Sequence, residues 1–258
     1  MSADRGNPPR YGNKDWFDQQ YRRVGDDPWG LTWRPSQQVR YGMMLDCLQQ
    51  AVTANDLKFE RVLDIGCALG DFTALLGRLV TDEGRVTGMD VSDVAIQRAR
   101  QRHPDIHFIQ AGLDDLTGKH VGCYDLITCL EVLYYIDRER RQATVERLAA
   151  LLKPGGMMLA SSLLSKSHFL EREFVQLIGS ELDVLETGVV CMGMVNAIEK
   201  LVLKLGKLAG GRWGKRQTSR ATAFGSWGFK AAGGLEHFSK RFLTHLAASH
   251  VFVLAQKP

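Results

Sequence analysis

Cysteine is scarce in this sequence, and its spacing is wrong for a covalent or metal framework. The 258 residues contain 5 cysteines, an odd number, and no two of them form a Cys-x-x-Cys pair. This pattern argues against a disulfide framework and against a zinc site. We therefore expect reduced thiols in the core and no metal.

Long apolar runs and a strong charge imbalance are also missing. No run approaches the roughly 20 apolar residues that a membrane-spanning helix needs, and the N-terminus is polar rather than signal-like. We therefore expect a cytoplasmic protein. The formal net charge of +4 is too small to indicate nucleic acid by itself, and no nucleic-acid partner is expected.

The chain does have enough apolar residues for a large core. Hydrophobic residues make up 45% of it, and its length suits one α/β domain better than two equal ones. We predict a flexible tail over residues 1–14 and a single domain over 15–258. The domain is divided into an N-terminal helical cover or lid (15–57), a central core (58–165) and a C-terminal part (166–258) with a basic helical insertion (191–240).

Apolar runs of strand length alternate with helical patterns along the core. The predicted strands are 61–65, 85–89, 106–110, 124–130 and 157–163, followed by 182–190 and 249–255; the predicted helices are 36–52, 72–80, 94–102, 138–152 and 168–178. Ser92 or Asp93 is expected to cap the helix at 94–102, and Asp137 the one at 138–152. The alternation predicts an α/β fold with a doubly wound, mostly parallel seven-stranded sheet, in which ligands bind beyond the carboxyl ends of the strands.

A glycine-rich turn follows the first strand, at residues 61–71. A dinucleotide fingerprint would need glycine at positions 66, 68 and 71, but the sequence has Ala68 and Asp71 in two of them. An acid at this point would repel a diphosphate. The spacing therefore favours S-adenosylmethionine, an adenosine cofactor that has no phosphate.

The residues around this turn and the following strand ends have the chemistry to hold S-adenosylmethionine. Asp64 can accept from its ammonium group directly or through water, and the turn amides can serve its carboxylate. Asp90 can accept both ribose hydroxyls, Leu113 can contact adenine, and Leu130 and Glu131 would lie near the methyl group. The predicted cofactor-binding residues are Asp64, Gly66, Cys67, Ala68, Gly70, Asp90, Val91, Gly112, Leu113, Leu130 and Glu131.

Taken together, these motifs resemble a known family. The runs LDIGCALGDFT at 63–73, Met89-Asp90, EVLYYI at 131–136 and LKPGG at 152–156 resemble class I S-adenosylmethionine-dependent methyltransferases. More narrowly, DDPW at 26–29, IGCA at 65–68 and EVLYY at 131–135 resemble the nodulation methyltransferases. The resemblance implies a Rossmann-like fold and, in the narrower case, N-methylation of the free amine of a chitooligosaccharide.

The sequence departs from the family pattern at three positions, which affect the expected cofactor and acceptor contacts. Ala68 replaces the middle glycine of the motif and is still small. Gly112 stands where many relatives have an aspartate that accepts from the adenine amino group, so Asp114 or Asp115 would have to substitute. Tyr135 stands where many small-molecule methyltransferases have a histidine, which removes one common candidate base.

Methyl transfer is an in-line displacement at an activated cation, so positioning supplies most of the catalysis. Glu131 and Tyr134 are the candidates for orienting or deprotonating the acceptor, although Glu131 could also bind backbone amides or the cofactor. Candidate substrate contacts are Trp29, Tyr135 and His168. Each aromatic residue could equally be packing in the core.

The segment after residue 190 leaves several interpretations open. An apolar helical stripe that begins at Val195 is followed by a basic run, so 198–220 could cover the core, bind a phosphate-bearing substrate or contact an anionic membrane surface. The sequence predicts an S-adenosylmethionine-dependent methyltransferase for a small acceptor, namely an amino sugar, glycan or natural-product intermediate, methylated on N or O. The alternatives are an RNA or protein methyltransferase recruited by the basic insertion, and a non-catalytic binding module.

Overall fold

The computed structural model describes residues 10–201 apart from residues 26, 117, 194 and 200, together with residue 234 and residues 248–258. Most of the predicted basic insertion therefore lies outside the described residues, and so do the membrane-surface, RNA and protein contacts inferred from it. Within the described residues, no helix is long and apolar enough to cross a membrane.

A seven-stranded sheet forms the centre of the molecule, with the strand order β3-β2-β1-β4-β5-β7-β6. The last strand is antiparallel to both of its neighbours, and the other pairs are parallel. This confirms the predicted doubly wound, mostly parallel sheet. The strands are β1 (Phe59–Ile65), β2 (Val80–Asp90), β3 (His107–Gln110), β4 (Tyr124–Leu130), β5 (Leu152–Leu163), β6 (Asp183–Val190) and β7 (His250–Gln256).

Helices cover both faces of the sheet. They are α1 (Lys14–Val24), α2 (Pro35–Asn55), α3 (Asp71–Leu76), α4 (Asp93–Arg102), α5 (Arg141–Leu151) and α6 (Glu171–Gly179). Because side chains alternate along a strand, Val62 packs in the cluster that includes α2 and α3, while the next residue, Leu63, packs in the cluster that includes α5 and α6. The core therefore has two layers, one on each face of the sheet.

Several element boundaries differ from the prediction. The helix expected over 72–80 ends at Leu76, and β2 begins at Val80 rather than Arg85, because Val80 already pairs with Phe59 of β1. The helix expected to start at His168 begins at Glu171, whose turn is closed by Glu173 accepting from the Leu170 amide at 3.2 Å.

The two predicted caps have different outcomes. Ser92 caps α4, since its side chain accepts from the Ala95 amide. Asp137 makes no capping hydrogen bond. Its carboxylate instead binds the guanidinium of Arg10 at 2.6 Å, so the prediction of Asp137 as a cap is wrong.

Candidate functional site

A cavity of about 600 Å³ lies over the carboxyl ends of the central strands. Its wall combines the ends of β1, β2, β4 and β5, the start of β7, and residues of the N-terminal segment that precedes the sheet. Members from the sheet side include Gly66, Ala68, Asp90, Val91, Gly112, Leu113, Leu130, Glu131, Tyr134, Tyr135, Leu163 and His250, and members from the N-terminal side include Arg10, Tyr11, Phe17, Tyr21, Trp29, Arg40 and Tyr41.

The glycine turn after β1 needs left-handed backbone. Gly66 and Gly70 have φ values of +73° and +81°, and Ala68 between them has +49°. A Cβ at Gly66 would overlap the side chain of Val132. The turn therefore requires glycine at position 66, while Ala68 accepts a conformation that costs about 1 kcal/mol in a residue with a Cβ.

The turn amides are largely used within the protein. Gly66 and Cys67 donate to the carbonyl of Met89 at 2.8 and 3.0 Å, and Gly70 donates to the carbonyl of Cys67 at 2.8 Å. Ala68 donates to Oδ2 of Asp90 at 3.0 Å. We expected these amides to serve a ligand carboxylate, but here they stabilise the turn itself.

Asp90 is fixed at the end of β2 by two backbone amides. Besides Ala68, the Ser92 amide donates to its Oδ1 at 2.9 Å. Burial raises the pKa of Asp90 to about 6, and these amides oppose the rise. The carboxylate faces the cavity, where neutral donors such as a pair of hydroxyls would suit it.

Asp64 lies beneath the turn rather than in the cavity wall. Its two oxygens accept the hydroxyls of Thr73 and Thr128 at 2.6 and 2.7 Å, and the residue is 3% exposed. Burial raises its pKa to about 6, against those two hydrogen bonds. Asp64 therefore supports the turn from below, as do Cys67 and Gly70, which are also absent from the cavity wall.

The end predicted to hold adenine contains Gly112, Leu113 and two acids. Asp115 accepts from the Gly112 amide at 2.7 Å, so its carboxylate closes the backbone turn. Asp114 lines the cavity but is bound by Arg140 and Arg147 at 2.9 and 2.7 Å. Of the two proposed substitutes for the missing aspartate, only Asp114 reaches the cavity, and both of its oxygens already bind arginine.

The N-terminal segment forms the roof of the cavity and is attached at two points. Asp18 of α1 accepts from Oγ of Ser92 at 2.6 Å, which ties the roof to the start of α4. Arg34 pairs with Glu199 at 2.7 Å, and the Ser36 amide donates to the same buried carboxylate at 2.8 Å. These buried contacts hold the roof against both ends of the cavity.

Several roof residues belong to the stretch predicted to be a tail. Asn13 caps α1 by accepting from the Trp16 amide at 2.9 Å, and Tyr11 stacks near Tyr135 with ring centroids 5.3 Å apart. Trp29, a predicted substrate contact, lines the cavity and lies 5.0 Å from the Tyr21 ring. Residues 10–13 are therefore part of the wall.

Glu131 lies at the far end of the cavity, directly after β4. Its φ of +62° is left-handed, a conformation that is uncommon in non-glycine residues and recurs at active sites and ligand-binding turns. The turn directs its Oε1 to the hydroxyl of Ser161 at 2.8 Å and to Nη1 of Arg40 at 3.2 Å. Its Oε2 lies 3.9 Å from Nε2 of His250.

Arg40 and His250 are site residues that motif analysis missed. Both line the cavity, with exposures of 4% and 9%, yet they lie 210 positions apart and belong to no motif. One signal was available: an antiparallel last strand beside β5 places its first residue at the carboxyl edge of the sheet, where ligands bind.

The two tyrosines after Glu131 line the cavity, whereas His168 does not. The His168 ring packs behind Tyr134, with centroids 4.8 Å apart. Burial raises the pKa of Tyr135 to about 12, and that of Tyr134 still further. Both hydroxyls stay protonated near neutral pH, so Tyr134 can orient an acceptor but is a poor base.

The geometry fits S-adenosylmethionine at the β1-β2 end. A carboxylate for hydroxyls (Asp90), a glycine turn without room for side chains and an apolar wall that includes Leu113 meet around one continuous cavity. The cofactor would supply a methyl group on a sulfonium centre. The residues of this end would bind and orient it.

Comparisons with known proteins agree with a site for S-adenosylmethionine. Residues 62–156 match the family model described as a methyltransferase domain. The ubiquinone biosynthesis O-methyltransferase of Coxiella burnetii is 35% identical over 124 residues, which are 46% of this chain and 49% of that protein. The same enzyme of Cronobacter sakazakii is 31% identical over 117 residues, or 44% and 46%. The chain thus spans about half the length of the curated relatives that it matches.

Solved structures share the fold at low sequence identity. The N-methyltransferase NodS from Bradyrhizobium japonicum, crystallised with S-adenosylhomocysteine, superposes with a TM-score of 0.61 and 19% identity over 93% of this chain and 98% of that one. Magnesium protoporphyrin IX methyltransferase from Synechocystis gives 0.57 and 15% over 95% and 97%.

Residues 62–156 carry a methyltransferase domain, and the described part of the chain has the fold of class I S-adenosylmethionine-dependent methyltransferases. The predicted cofactor is confirmed at the level of this domain class, for which S-adenosylmethionine is the methyl donor.

Proposed function

We propose that this protein transfers a methyl group from S-adenosylmethionine to an amine nitrogen or hydroxyl oxygen of a small molecule, namely an amino sugar, a glycan or a natural-product intermediate. The observation that carries the proposal is the continuous cavity of about 600 Å³. One part of the cavity has the residues that suit S-adenosylmethionine, namely the glycine turn and Asp90. The other part has Glu131, Tyr134 and His250, whose polar groups suit an acceptor.

The size and lining of the cavity support a small acceptor. Small-molecule sites typically occupy about 300 to 1,000 Å³ and combine aromatic walls with a few polar groups. Here Tyr11, Phe17 and Trp29 supply aromatic faces on the roof side, on which a sugar ring can stack. The cytoplasmic location and the absence of a nucleic-acid partner stay predictions.

The relatives leave the methylated atom open. NodS is named an N-methyltransferase, and the Coxiella burnetii relative is named an O-methyltransferase. An amine must arrive neutral, whereas a hydroxyl would benefit from a base near the methyl group. Glu131 is the proposed group that orients the acceptor, with Tyr134 and Tyr135 beside it.

The test is a mass-spectrometric screen of the full chain with S-adenosylmethionine. Chitobiose with free amino groups and cellobiose form a matched pair, since one carries amines where the other carries hydroxyls. Gain of one methyl group by chitobiose alone indicates N-methylation of an amino sugar, and gain by cellobiose indicates O-methylation. If no amine- or hydroxyl-bearing glycan or natural-product intermediate gains a methyl group, and calorimetry detects no S-adenosylmethionine binding, the proposed function is wrong.

A further inference from the structure

Two hydrogen-bond acceptors from distant parts of the chain face each other in the cavity. Nε2 of His250, the first residue of β7, lies 3.9 Å from Oε2 of Glu131, which follows β4. Neither atom has a hydrogen-bond partner among the described residues. Both residues line the cavity, and β7, which carries His250, lies four strands from β2, which carries Asp90.

The hydrogen bonds of Ser249 assign the tautomer of His250. Oγ of Ser249 donates its single hydrogen to the carbonyl of Val190 at 3.0 Å and accepts from the Met192 amide at 3.2 Å. It also lies 2.8 Å from Nδ1 of His250. With the hydroxyl hydrogen on the Val190 carbonyl, Nδ1 carries the imidazole hydrogen and Nε2 presents a lone pair; this tautomer is part of the proposal below.

The imidazole is neutral in this setting. Burial lowers the pKa of His250 to about 4; Glu131 acts in the opposite direction, and Arg40 adds to the lowering. Arg40 is the positive group of the cluster, and its Nη1 lies 3.2 Å from Oε1 of Glu131 as an ion pair without a well-aligned hydrogen bond. His250 is therefore a neutral acceptor at physiological pH.

The separation of the two acceptors matches a shared donor. A distance of 3.9 Å is too long for a direct hydrogen bond. An atom at about 2.8 Å from each, the usual hydrogen-bond length, fits between them. The side chains of His250 and Glu131 are 11% and 15% exposed, and polar groups of largely buried side chains normally have a partner; here the open cavity is where that partner would come from.

We propose that Nε2 of His250 and Oε2 of Glu131 together bind the nucleophilic group of the methyl acceptor, which donates a hydrogen bond to each. The proposal rests on the proposed function and adds His250 to its binding residues. A primary amine has two N–H groups for the pair and keeps its lone pair for the methyl group. A hydroxyl has one hydrogen and satisfies one acceptor, so the pair favours an amine.

The kinetic test compares His250→Gln with His250→Phe, using chitobiose with free amino groups as acceptor. Glutamine retains an oxygen that can accept, whereas phenylalanine fills the space without one. We expect His250→Phe to lower kcat/KM for the acceptor about 100-fold, the loss expected for a buried hydrogen bond, and His250→Gln to recover at least tenfold of that. S-adenosylmethionine affinity should stay within about twofold in both, because His250 lies on β7, four strands from the strand that carries Asp90.

His107→Gln is the control, since His107 is exposed on β3 and outside the cavity wall. Equal kinetics for the phenylalanine and glutamine variants, or values within about threefold of the unmodified protein, would overturn the proposal and leave the proposed function intact. If the unmodified protein does not bind S-adenosylmethionine, the proposed function itself is wrong.

A second readout does not depend on turnover. Nitrogen NMR of ¹⁵N-histidine-labelled protein, with His250 assigned by its loss in His250→Gln, should show a protonated Nδ1 and an unprotonated Nε2. The Nε2 resonance should shift when chitobiose with free amino groups is added in the presence of S-adenosylhomocysteine. A protonated Nε2, or an Nε2 signal that does not respond to an acceptor that is methylated, would contradict the proposal.

Discussion

Replacing Asp90 with asparagine removes a negative charge from the end of the cavity assigned to the cofactor. Asp90 accepts from the amides of Ala68 and Ser92 at 3.0 and 2.9 Å, and it is the carboxylate proposed to receive both ribose hydroxyls. Asparagine keeps one oxygen and replaces the other by a donor. The asparagine side chain therefore has one hydrogen-bond acceptor instead of two, and that acceptor is uncharged and weaker.

The expected effect follows from the strength of these bonds. A hydrogen bond to a charged group contributes about 1.5 to 3 kcal/mol, against about 1 kcal/mol for a neutral one. Exchanging two charge-assisted bonds for one neutral bond should cost about 3 kcal/mol. At about 1.4 kcal/mol per factor of ten, the Kd for S-adenosylmethionine should rise roughly 100-fold.

Isothermal titration calorimetry with S-adenosylmethionine measures this change. Asp125→Asn is a matched control, because Asp125 also accepts from two backbone amides, those of Glu60 and Arg61 at 3.0 and 2.8 Å, but at the amino end of β4. The control should keep its Kd within about twofold. An unchanged Kd in Asp90→Asn, or equal losses in both variants, would refute the role of Asp90.

Other predictions concern pH and the turn. Because burial raises the folded-state pKa of both Asp64 and Asp90 to about 6, each carboxyl should lower the unfolding free energy of the ligand-free protein by about 3 kcal/mol as pH rises from about 4 through 6; flat stability in urea titrations would contradict this. The affinity for S-adenosylmethionine should instead rise with pH, because the ionised form of Asp90 binds the cofactor. Below pH 6, where Asp90 is protonated, the Kd should increase by up to about tenfold for each pH unit, and a pH-independent Kd would count against this. Thr128→Val removes the 2.7 Å hydrogen bond to Asp64 and should lower the unfolding free energy by about 1 to 3 kcal/mol, which an unchanged urea midpoint would exclude. Gly66→Ala should lower it by about 2 kcal/mol, whereas Gly77→Ala, where a Cβ meets open space, should leave it nearly unchanged; similar effects for both would disprove the steric argument.

The sheet could be predicted from sequence because its signals are local. The central strands β1 and β4 contain apolar runs, and β4 coincides with the predicted range 124–130. The boundaries that failed depend on distant partners. β2 starts early because Phe59 pairs with Val80, and Asp137 is not a cap because Arg10 binds it, neither of which the local sequence reveals.

The same distinction separates the two ends of the cavity. Gly66 and Asp90 lie in the wall because motif spacing follows the strand ends. The pairing of Glu131 with Arg40 and His250 depends on tertiary contacts between α2, β4 and β7. Asp64 is predicted to accept from the cofactor's ammonium group directly or through water, and that role stays a prediction. Its burial and its hydrogen bonds to Thr73 and Thr128 result from packing that the motif does not encode.

Transfer of a labelled methyl group is the most direct measurement of the central claim. The full chain is incubated with S-adenosylmethionine that carries a trideuterated methyl group, together with chitobiose bearing free amino groups, and the products are analysed by mass spectrometry. We predict a product heavier by one trideuterated methyl group, with S-adenosylhomocysteine released in equal amount, and a strongly reduced yield from Asp90→Asn at limiting S-adenosylmethionine. Binding of S-adenosylmethionine without labelled product from this sugar or from any member of the glycan and natural-product screen would contradict the claim that the protein is a small-molecule methyltransferase.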